Sequence, residues 1–412
     1  MENPAQAQLA PAHPSALAPL REPLFRSLWI AAVISYTGSW MQNIATGWLM
    51  TSLTSSPMYV ALVQVALSLP VFLIALPAGA LADLVDRRKF LLLTQSSMVA
   101  AAGVLGVLTI THVVTPQLLL VFTFLLGVGA VMNDPAWQAL TPDLVPGSKL
   151  PAAVALNSAG FNIARAVGPA LGGLVIAAAG SGVTFLLNAV SFFGVILFLY
   201  RWKPSERELP HVVSTVGGAI RIGVHYVRQN RQMQAVLIRT LAFSMFASAF
   251  WALLPLIASD YGAEGYGAML ACFGGGALIG AGVLARMRQR LSFDTVVTTA
   301  TLIFAAALFG LVQVQTLAFS CLCAAAAGLA WISTLATLNL VAQTTAASWV
   351  RARMISMYVL VLQGGLALGS ALWGILASQL GIIYTLTVAA IALCCGLLLA
   401  PWYRLHPDEI SA

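Results

Sequence analysis

The segment Gly79–Lys89 reads Gly-Ala-Leu-Ala-Asp-Leu-Val-Asp-Arg-Arg-Lys and places five charged residues within seven positions of an otherwise apolar region. More than twenty nearly uncharged residues precede it and more than twenty follow it. Each flank is long enough to cross the hydrocarbon core of a bilayer as a helix. We therefore predict that this segment is a short charged turn between two membrane-spanning helices.

The composition is that of an integral membrane protein. Of the 412 residues, 60% are hydrophobic and only 8% are charged, about a third of the charged fraction of an ordinary soluble domain. The apolar stretches are long and do not alternate with polar residues, which favours helices over an outer-membrane barrel. We predict an all-α integral membrane protein.

Breaks at charged residues, proline and glycine divide the chain into twelve predicted spans in two sets of six. The first set comprises residues 27–50, 57–82, 90–111, 117–138, 151–178 and 181–200. The second set comprises residues 234–258, 264–285, 295–313, 316–340, 353–378 and 381–402.

These spans define the expected domains. Residues 1–22 form a disordered tail without the features of a cleaved signal peptide. Residues 23–202 and 233–403 form two six-helix bundles, and residues 404–412 form a C-terminal tail. The connecting segment 203–232 contains apolar residues at helical spacing, which predicts either a helix at the membrane surface or a solvated linker helix.

The basic residues are distributed to one side of the predicted bundle. Of the 20 Lys and Arg residues, all except Arg165 fall at the termini or on the connections that follow even-numbered spans. We call this side the basic face and the other side the opposite face. By the positive-inside rule the basic face is cytoplasmic, which predicts two cytoplasmic termini.

An internal repeat relates the two sets of spans. The pattern Gly-x-Leu-Ala at Gly79 recurs at Gly282, 203 residues later, again just before basic residues. Two related six-span halves imply a pseudo-two-fold axis along the membrane normal and a pathway between the halves. The pattern is typical of a carrier.

The charged turn carries a candidate gate on the basic face. Gly79 permits close helix packing, and Asp83 at a helix end can meet a helix N-terminus, where the helix dipole favours an anion. The eleventh predicted span begins at this face, beside Arg351 and Arg353. Either Asp83 latches the two halves together there, or the arginines of the turn only fix the topology.

The turn resembles the signature between the second and third helices of the major facilitator superfamily, Gly-x-x-x-Asp-x-x-Gly-Arg-Arg/Lys. Asp86 replaces the usual glycine, and Arg87 and Arg88 follow it. The resemblance implies twelve transmembrane helices in two pseudo-symmetric six-helix bundles. It also implies that the turn is a latch on the cytoplasmic side.

Further stretches resemble the drug:proton antiporter and enterobactin exporter branch of that superfamily. They are Trp40-Met-Gln-Asn43, Asn133-Asp-Pro-Ala-Trp-Gln-Ala-Leu140, Asn162-Ile-Ala-Arg-Ala-Val-Gly-Pro169 and Gln363-Gly-Gly365. The likeness implies proton-driven export of a bulky amphipathic molecule, siderophore or drug-like, across a bacterial inner membrane. Direction, coupling and substrate rest on this resemblance alone.

The fifth span contains a glycine motif that resembles the antiporter signature of the superfamily. It reads Gly168-Pro169-x-x-Gly172-Gly173, with Ala164 where the family has a preceding glycine. Glycines four residues apart let two helices pack closely, and proline removes a backbone hydrogen bond and bends the helix. The motif is therefore explained either by antiport or by helix packing alone.

Arg165 is the most informative single residue of the sequence. It lies ~21 Å from the start of its span, close to mid-depth, where a cation must face protein or water. It shares one helix face with Ser158 and Asn162 and is expected to point inward and to have a partner. It either attracts an anionic substrate group or tunes a nearby acid, or it is a structural arginine bonded to carbonyls or to Asp134.

Proton coupling requires a carboxylate inside the membrane, and Asp134 is the one acid well inside a predicted span. It lies beside Pro135, nearer the basic face. Asp134 is therefore either a proton carrier or a contact at a helix end or gate. If it is not the carrier, coupling runs through Asp83 or through a proton on the substrate.

The remaining candidates for substrate binding are polar or aromatic residues in spans expected to line the pathway. They are Tyr36, Trp40, Asn43, Gln64, Asn162, Phe250, Trp251 and Gln363. Each could instead be a helix-packing residue. Arg239, at the start of the seventh span, is expected to extend to the membrane surface.

Other classes of protein find no support in the sequence. It contains no ATP-binding loop, nucleophile elbow, metal-ligand spacing or nucleic-acid module, so we predict no enzyme activity, cofactor or metal. The expected partners are a small-molecule substrate, protons and the lipid bilayer, with the chain acting as a monomer. An uptake or facilitated-diffusion carrier is the alternative, followed by a membrane scaffold.

Overall fold

The computed structural model describes residues 17–202, 216–313, 316–347 and 349–405, with the backbone alone at 76, 79–84, 139, 216–220, 222 and 285. Long helices dominate these ranges. In chain order they are α1 Pro23–Leu53, α2 Pro57–Leu84, α3 Arg87–Ile110, α4 Pro116–Leu144, α5 Leu150–Arg201, α6 Val216–Gln229, α7 Arg231–Ile257, α8 Gly262–Arg290, α9 Phe293–Gln313, α10 Leu317–Thr345, α11 Arg351–Leu380 and α12 Ile382–Gly396.

Glycines with positive φ separate consecutive spans at equivalent positions of the two halves. Gly180 (φ 83°, ψ 167°) divides the 52-residue α5 into two spans, 150–179 and 181–201. Gly381 (φ 83°, ψ 165°) makes the same turn between α11 and α12. Residues with a Cβ rarely adopt this conformation, so glycine is what permits these abrupt reversals.

The helices account for the twelve predicted spans. Within the described ranges, nine helical stretches are long and apolar enough to cross a membrane. Two of them, 147–201 and 231–290, contain a glycine turn and therefore supply two spans each. The 31-residue α1 packs along α5 and completes the set, whereas the 14-residue α6 is too short to cross.

The apolar core is continuous near the opposite face and divided near the basic face. One large cluster of buried residues includes Leu49 and Phe185 of the N-terminal half together with Phe250 and Phe304 of the C-terminal half. Near the basic face, Phe90 and Trp137 belong to a separate cluster within the N-terminal half. A third cluster there belongs to the C-terminal half and the linker helix. The two halves are thus packed together on one side only.

The linker helix α6 is attached to the C-terminal half. The Tyr226 hydroxyl donates to the Thr345 carbonyl and accepts from the Ala347 amide, each at 3.2 Å. Its ring packs edge-on against Trp349, with centroids 6.1 Å apart. Of the three apolar residues on which the helix was predicted, Val224 and Val227 are half-buried, and the Ile220 side chain lies outside the described residues.

Arg239 does not extend to the surface, contrary to the sequence-based expectation. Its side chain is buried, with 6% exposed, and donates to Asp294 at the first turn of α9. The other carboxylate oxygen of Asp294 accepts the Leu405 amide at 2.9 Å. A nearby anion therefore keeps the guanidinium inside the bundle and also holds the C-terminal segment against it.

Candidate functional site

A cavity of about 540 Å³ lies between the two halves, and we call it the central cavity. Helices of both halves contribute to its wall: α1, α2 and α5 on one side and α7, α8, α10 and α11 on the other. The structure brings six of the predicted binding residues together here, namely Trp40, Asn43, Gln64, Arg165, Trp251 and Gln363.

The C-terminal half contributes an aromatic wall to the central cavity. Trp251 packs edge-on against Phe273 (ring centroids 4.7 Å apart) and against Trp331 (5.7 Å). The indole N–H of Trp251 is buried and has no hydrogen-bond partner in the described ranges. This wall therefore offers a large apolar surface to a solute.

Phe250 supports this wall from behind. It stacks on Phe273 with centroids 5.2 Å apart and has 0% of its surface exposed, so it does not line the cavity as the sequence suggested. The reason is helical geometry, because adjacent residues point about 100° apart and only Trp251 faces the cavity.

Arg165 faces the central cavity, and its guanidinium makes no hydrogen bond or ion pair with any residue described in the structure. The alternative of a structural arginine bonded to carbonyls or to Asp134 thus finds no such contact among the described residues, and Asp134 lies in a different chamber. The described residues that line the central cavity include no Asp or Glu. An unpaired cation beside aromatic rings can attract an anionic group of a partly apolar solute.

Asn162 does not join Arg165 in the cavity. Its side-chain amide donates to the Ser158 carbonyl one turn earlier, at 2.8 Å, and its side chain is half-buried. The expected polar stripe on α5 is therefore reduced to Arg165 at this level.

A second chamber of about 370 Å³ lies within the N-terminal half, and we call it the side chamber. It shares Trp40, Asn43, Phe161 and Gln363 with the central cavity, and it contains the predicted residues Tyr36 and Asp134. The Tyr36 ring packs edge-on against Phe161, with centroids 5.5 Å apart. Aromatic side chains thus separate the arginine from the aspartate.

The sequence reasoning missed several polar residues of the side chamber. The Gln95 amide donates to Asn133 at 2.9 Å, and the Gln95 side-chain oxygen is buried without a partner in the described structure. Both residues line the chamber beside Asp134. The available signal was an isolated glutamine in the third span and an asparagine directly before Asp134.

The halves meet at mid-depth and toward the opposite face. The glycine contacts that cross between them are Gly47 with Tyr266, Gly173 with Gly267, Gly274 with Ala166, Gly374 with Ala61 and Gly364 with Phe72. Toward the basic face, Asp134 is exposed and Phe161 is 42% exposed, although both line the inner chambers. The structure is therefore closed on the opposite face and open to solvent on the basic face.

The glycine motif of α5 divides its contacts between two helices. Gly168 and Gly172 pack on α1, where a Cβ would lie 2.6 Å from the Trp40 Cβ and 3.0 Å from the Met41 Cα, respectively. Gly173 instead faces α8, where an added Cβ would lie 3.0 Å from the Gly267 Cα, and Pro169 lines the central cavity. The motif is thus a close-packing surface both within the N-terminal half and between halves.

The charged turn between α2 and α3 is fastened to the N-terminal half. Asp86 caps α3 by accepting the Lys89 amide at 3.0 Å, and Arg87 lies 4.0 Å from Asp143 of α4. Arg88 donates to the last carbonyls of α5, those of Leu199 at 2.7 Å and Tyr200 at 2.6 Å. Asp86 replaces the family glycine as a helix cap.

The cross-half contact predicted for this turn lies outside the described side chains. The side chain of Asp83 and the surroundings of Gly79 are not described, so their contact with the start of α11 remains a prediction. At that start Arg351 is exposed and Arg353 is half-buried.

Curated relatives share most of the length of the chain. The staphyloferrin A transporter of Staphylococcus aureus is 24% identical over 370 residues, which cover 89% of this chain and 92% of the relative. The enterobactin exporter of Salmonella choleraesuis is 25% identical over 311 residues, 73% of each chain. Macrolide efflux protein A of Streptococcus pyogenes is 22% identical over 245 residues, 58% of this chain and 59% of the relative.

Solved structures of transporters share the fold. A bacterial homologue of the lysosomal transporter Spinster, in an inward-facing and unoccupied conformation, superposes with a TM-score of 0.73 at 12% identity, covering 94% of this chain and 96% of that one. An auto-inhibited peptide transporter of the POT family gives a TM-score of 0.74 at 14% identity, covering 95% and 99%.

A family model described as transmembrane secretion effector matches residues 14–411, nearly the whole chain. This match agrees with the twelve spans, the cavity between two halves and the transporter relatives. The chain belongs to this family of major facilitator superfamily transporters, and it is a membrane transporter, not an enzyme.

Proposed function

We propose that this protein is a secondary exporter that moves a bulky, amphipathic, anionic small molecule out of the cytoplasm by alternating access. The observation that carries the proposal is the guanidinium of Arg165, which no described residue pairs with, in an aromatic cavity between the two halves. An unpaired cation at the middle of the membrane costs free energy, and a protein that acts only as a scaffold would not need such a residue. A substrate that supplies the missing anion accounts for the cost.

The dimensions and lining of the central cavity define the substrate class. Its volume of about 540 Å³ lies within the range of sites for drug-sized ligands. Trp251 and Trp331 offer ring faces, Arg165 a charge, and Gln64 and Gln363 hydrogen-bonding amides. Relatives named for siderophores and for a macrolide support a siderophore or drug-like solute.

The orientation follows from the distribution of charge. With 19 of 20 Lys and Arg residues at the basic face or the termini, that face is cytoplasmic, both termini are cytoplasmic, and the protein lies in the bacterial inner membrane. The structure then corresponds to an inward-open state. A cytoplasmic solute reaches Arg165 without any rearrangement, as an exporter requires of its loading state.

Asp134 is the proposed proton site. It is exposed in the side chamber and lies ~15 Å from the basic end of α4, so protons reach it from the cytoplasmic side in this state. The side chamber joins the central cavity at Trp40 and Gln363. In this proposal, a change of charge on Asp134 alters anion binding at Arg165 through the residues that the two chambers share.

Transport follows from rocking of the two halves, which a monomer can accomplish. Separation of the glycine contacts at the opposite face opens the central cavity outward. Closure of the basic face brings the turn at Asp83 to the start of α11 as the latch. The aromatic cluster behind Trp251 keeps its half rigid while the halves move.

Efflux from proteoliposomes tests the proposal. Purified protein is reconstituted and given siderophores, macrolides and dyes under an imposed pH gradient, and then with the gradient reversed or absent. We expect gradient-dependent movement of at least one anionic amphipathic solute, and its loss in Arg165→Gln. Solute transport that is the same with and without the pH gradient would indicate facilitated diffusion. The absence of solute transport by correctly folded protein would exclude the proposed exporter function.

A further inference from the structure

A cleft on the basic face, distant from the central cavity, contains two arginines that form no ion pair with any residue the structure describes. It lies between the turn that joins α6 to α7 and the segment that follows α12, and its volume is about 540 Å³. Arg231 contributes from the start of α7, and Arg404 from the C-terminal segment. Both are exposed, and neither makes an ion pair with a described residue. We call it the basic cleft.

The walls of the basic cleft are held in place independently of any ligand. On the C-terminal side, Leu405 is 1% exposed and its amide donates to Asp294 at 2.9 Å. On the other side, the Asn230 side chain caps α7 by accepting the Met233 amide at 2.9 Å, and Gln234 donates to the Val227 carbonyl at 3.0 Å. The cleft is thus preformed.

An apolar strip on α12 leads to the cleft. Large exposed side chains recur at helical spacing along one face of this helix and its continuation, namely Tyr384, Val388, Ile391 and Leu398. The strip ends at Trp402, whose indole is 67% exposed at the edge of the cleft. Exposed tryptophan at the end of a span is typical of the level of lipid headgroups.

These features together match the parts of a phospholipid. Arginine binds phosphate through parallel charge-assisted hydrogen bonds, and basic clefts beside membrane helices attract anionic headgroups. The apolar strip fits the acyl chain of a lipid, whereas a free phosphate ion has no apolar part that would occupy it. We propose that the basic cleft binds the phosphate of an anionic phospholipid, with Trp402 at the headgroup and an acyl chain along α12.

The N-terminal half provides an internal comparison. At the equivalent place, where α1 begins and α5 ends, a smaller cleft of about 260 Å³ contains a single arginine, Arg201. The neighbouring tryptophan, Trp202, is buried in the core at 7% exposure. Among the residues that the structure describes there, one cation and no exposed indole make this cleft the weaker of the two.

Native mass spectrometry of the detergent-purified protein tests the assignment. The protein is titrated with phosphatidylglycerol or phosphatidylcholine of identical acyl chains, and phosphatidylglycerol is then challenged with inorganic phosphate. We expect preferential binding of phosphatidylglycerol, which weakens about 30-fold in Arg231→Gln/Arg404→Gln. The matched control, Arg286→Gln/Arg290→Gln, removes two exposed arginines elsewhere on the same face and should bind as the unmodified protein does.

Three results would overturn the proposal. Equal loss of phosphatidylglycerol binding in the control variant Arg286→Gln/Arg290→Gln would mean that the basic face attracts the lipid without specificity. Equal binding of phosphatidylglycerol and phosphatidylcholine would mean that the cleft does not recognise an anionic headgroup. Full displacement by millimolar phosphate would indicate a free-phosphate site. If the double variant does not fold, Trp402→Ala, which leaves the charge unchanged, should still weaken phosphatidylglycerol binding, and unchanged binding would count against the proposed headgroup contact.

Discussion

Gly173 of α5 and Gly267 of α8 touch through their backbones across the boundary of the two halves. A Cβ added to Gly267 would lie 2.9 Å from the Cα of Gly173 and 2.9 Å from the carbonyl oxygen of Pro169. A backbone cannot yield as a flexible side chain does, so only glycine allows this approach. The contact lies toward the opposite face, where the core of the protein is continuous between the halves.

The first prediction is that Gly267→Leu prevents full closure of the opposite face. The added side chain must displace α5, which separates the halves where they are now in contact. Spin labels at the exposed residues His112 and Asp260, on the opposite-face connections of the two halves, report the separation by electron–electron double resonance. We expect a longer mean distance than in the unmodified protein.

Gly275→Leu is the matched control because it makes the same substitution on the same helix. A Cβ at Gly275 meets nothing within 4 Å, so this variant should leave the distance distribution unchanged. If both variants give the original distribution, the contact between Gly173 and Gly267 does not govern closure.

The second prediction concerns Arg165, whose replacement by glutamine should weaken substrate binding without destabilising the protein. The guanidinium has no polar partner among the described residues, so its removal breaks no described hydrogen bond or ion pair and relieves an unpaired charge at mid-depth. Loss of a charge-assisted bond to an anion costs about 1.5–3 kcal/mol, or roughly 10- to 100-fold in affinity. Thermal unfolding and ligand-induced shifts of the melting temperature measure the two effects separately.

Asn162→Ala on the same helix is the comparison for Arg165→Gln. Among the described residues, the Asn162 side chain bonds to the carbonyl one turn earlier, and it is absent from the cavity lining. Its removal should therefore affect neither binding nor melting temperature strongly. A large drop in the melting temperature of Arg165→Gln with unchanged binding would assign Arg165 a structural role.

The sequence was sufficient to predict the spans, the two halves and most of the cavity. Charge interruptions and glycine turns are local signals, and a residue such as Trp40 or Gln363 reaches the centre because its helix does. In a uniformly apolar helix, tertiary packing decides which residues face the cavity and which are buried in the core. Phe250 and Trp251 are adjacent and chemically similar, and no periodicity in α7 distinguishes the buried ring from the exposed one.

The partners of buried polar groups were also beyond the sequence. For Arg165 the sequence left open a substrate anion or a protein group, and no described residue pairs with it. Arg239 was expected to reach the surface and is paired with Asp294. These outcomes depend on which helices become neighbours. Asp294 lies 55 residues from Arg239, and only the packing of α7 on α9 brings them together.

The third prediction is that Asp134→Asn uncouples transport from the pH gradient. The amide cannot exchange a proton, so gradient-driven accumulation should fall to background while exchange of labelled for unlabelled solute continues. Both are measured in proteoliposomes. Asp260→Asn, which neutralises an exposed acid on the opposite face, is the control and should remain coupled. Loss of exchange together with coupling would indicate a gate contact instead of a proton carrier.

The last prediction is that Asp294→Asn destabilises the C-terminal half strongly. It leaves the guanidinium of Arg239 buried, with 6% exposed and without its anion. Removing one partner of a buried ion pair lowers the free energy of unfolding by about 3–5 kcal/mol, whereas replacing both partners with apolar residues lowers it much less. We therefore expect a clear fall in the melting temperature for Asp294→Asn and partial recovery in Arg239→Leu/Asp294→Leu.

The matched control for Asp294 is Glu264→Gln. Both acids lie in the first turn of a helix and gain the same favourable interaction with its dipole, but Glu264 is exposed and has no buried partner. If the two substitutions lower the melting temperature equally, Asp294 stabilises the protein only through its interaction with the helix dipole. Because Asp294 also accepts the Leu405 amide, its loss should expose the chain near Arg404 to trypsin, and Glu264→Gln should not.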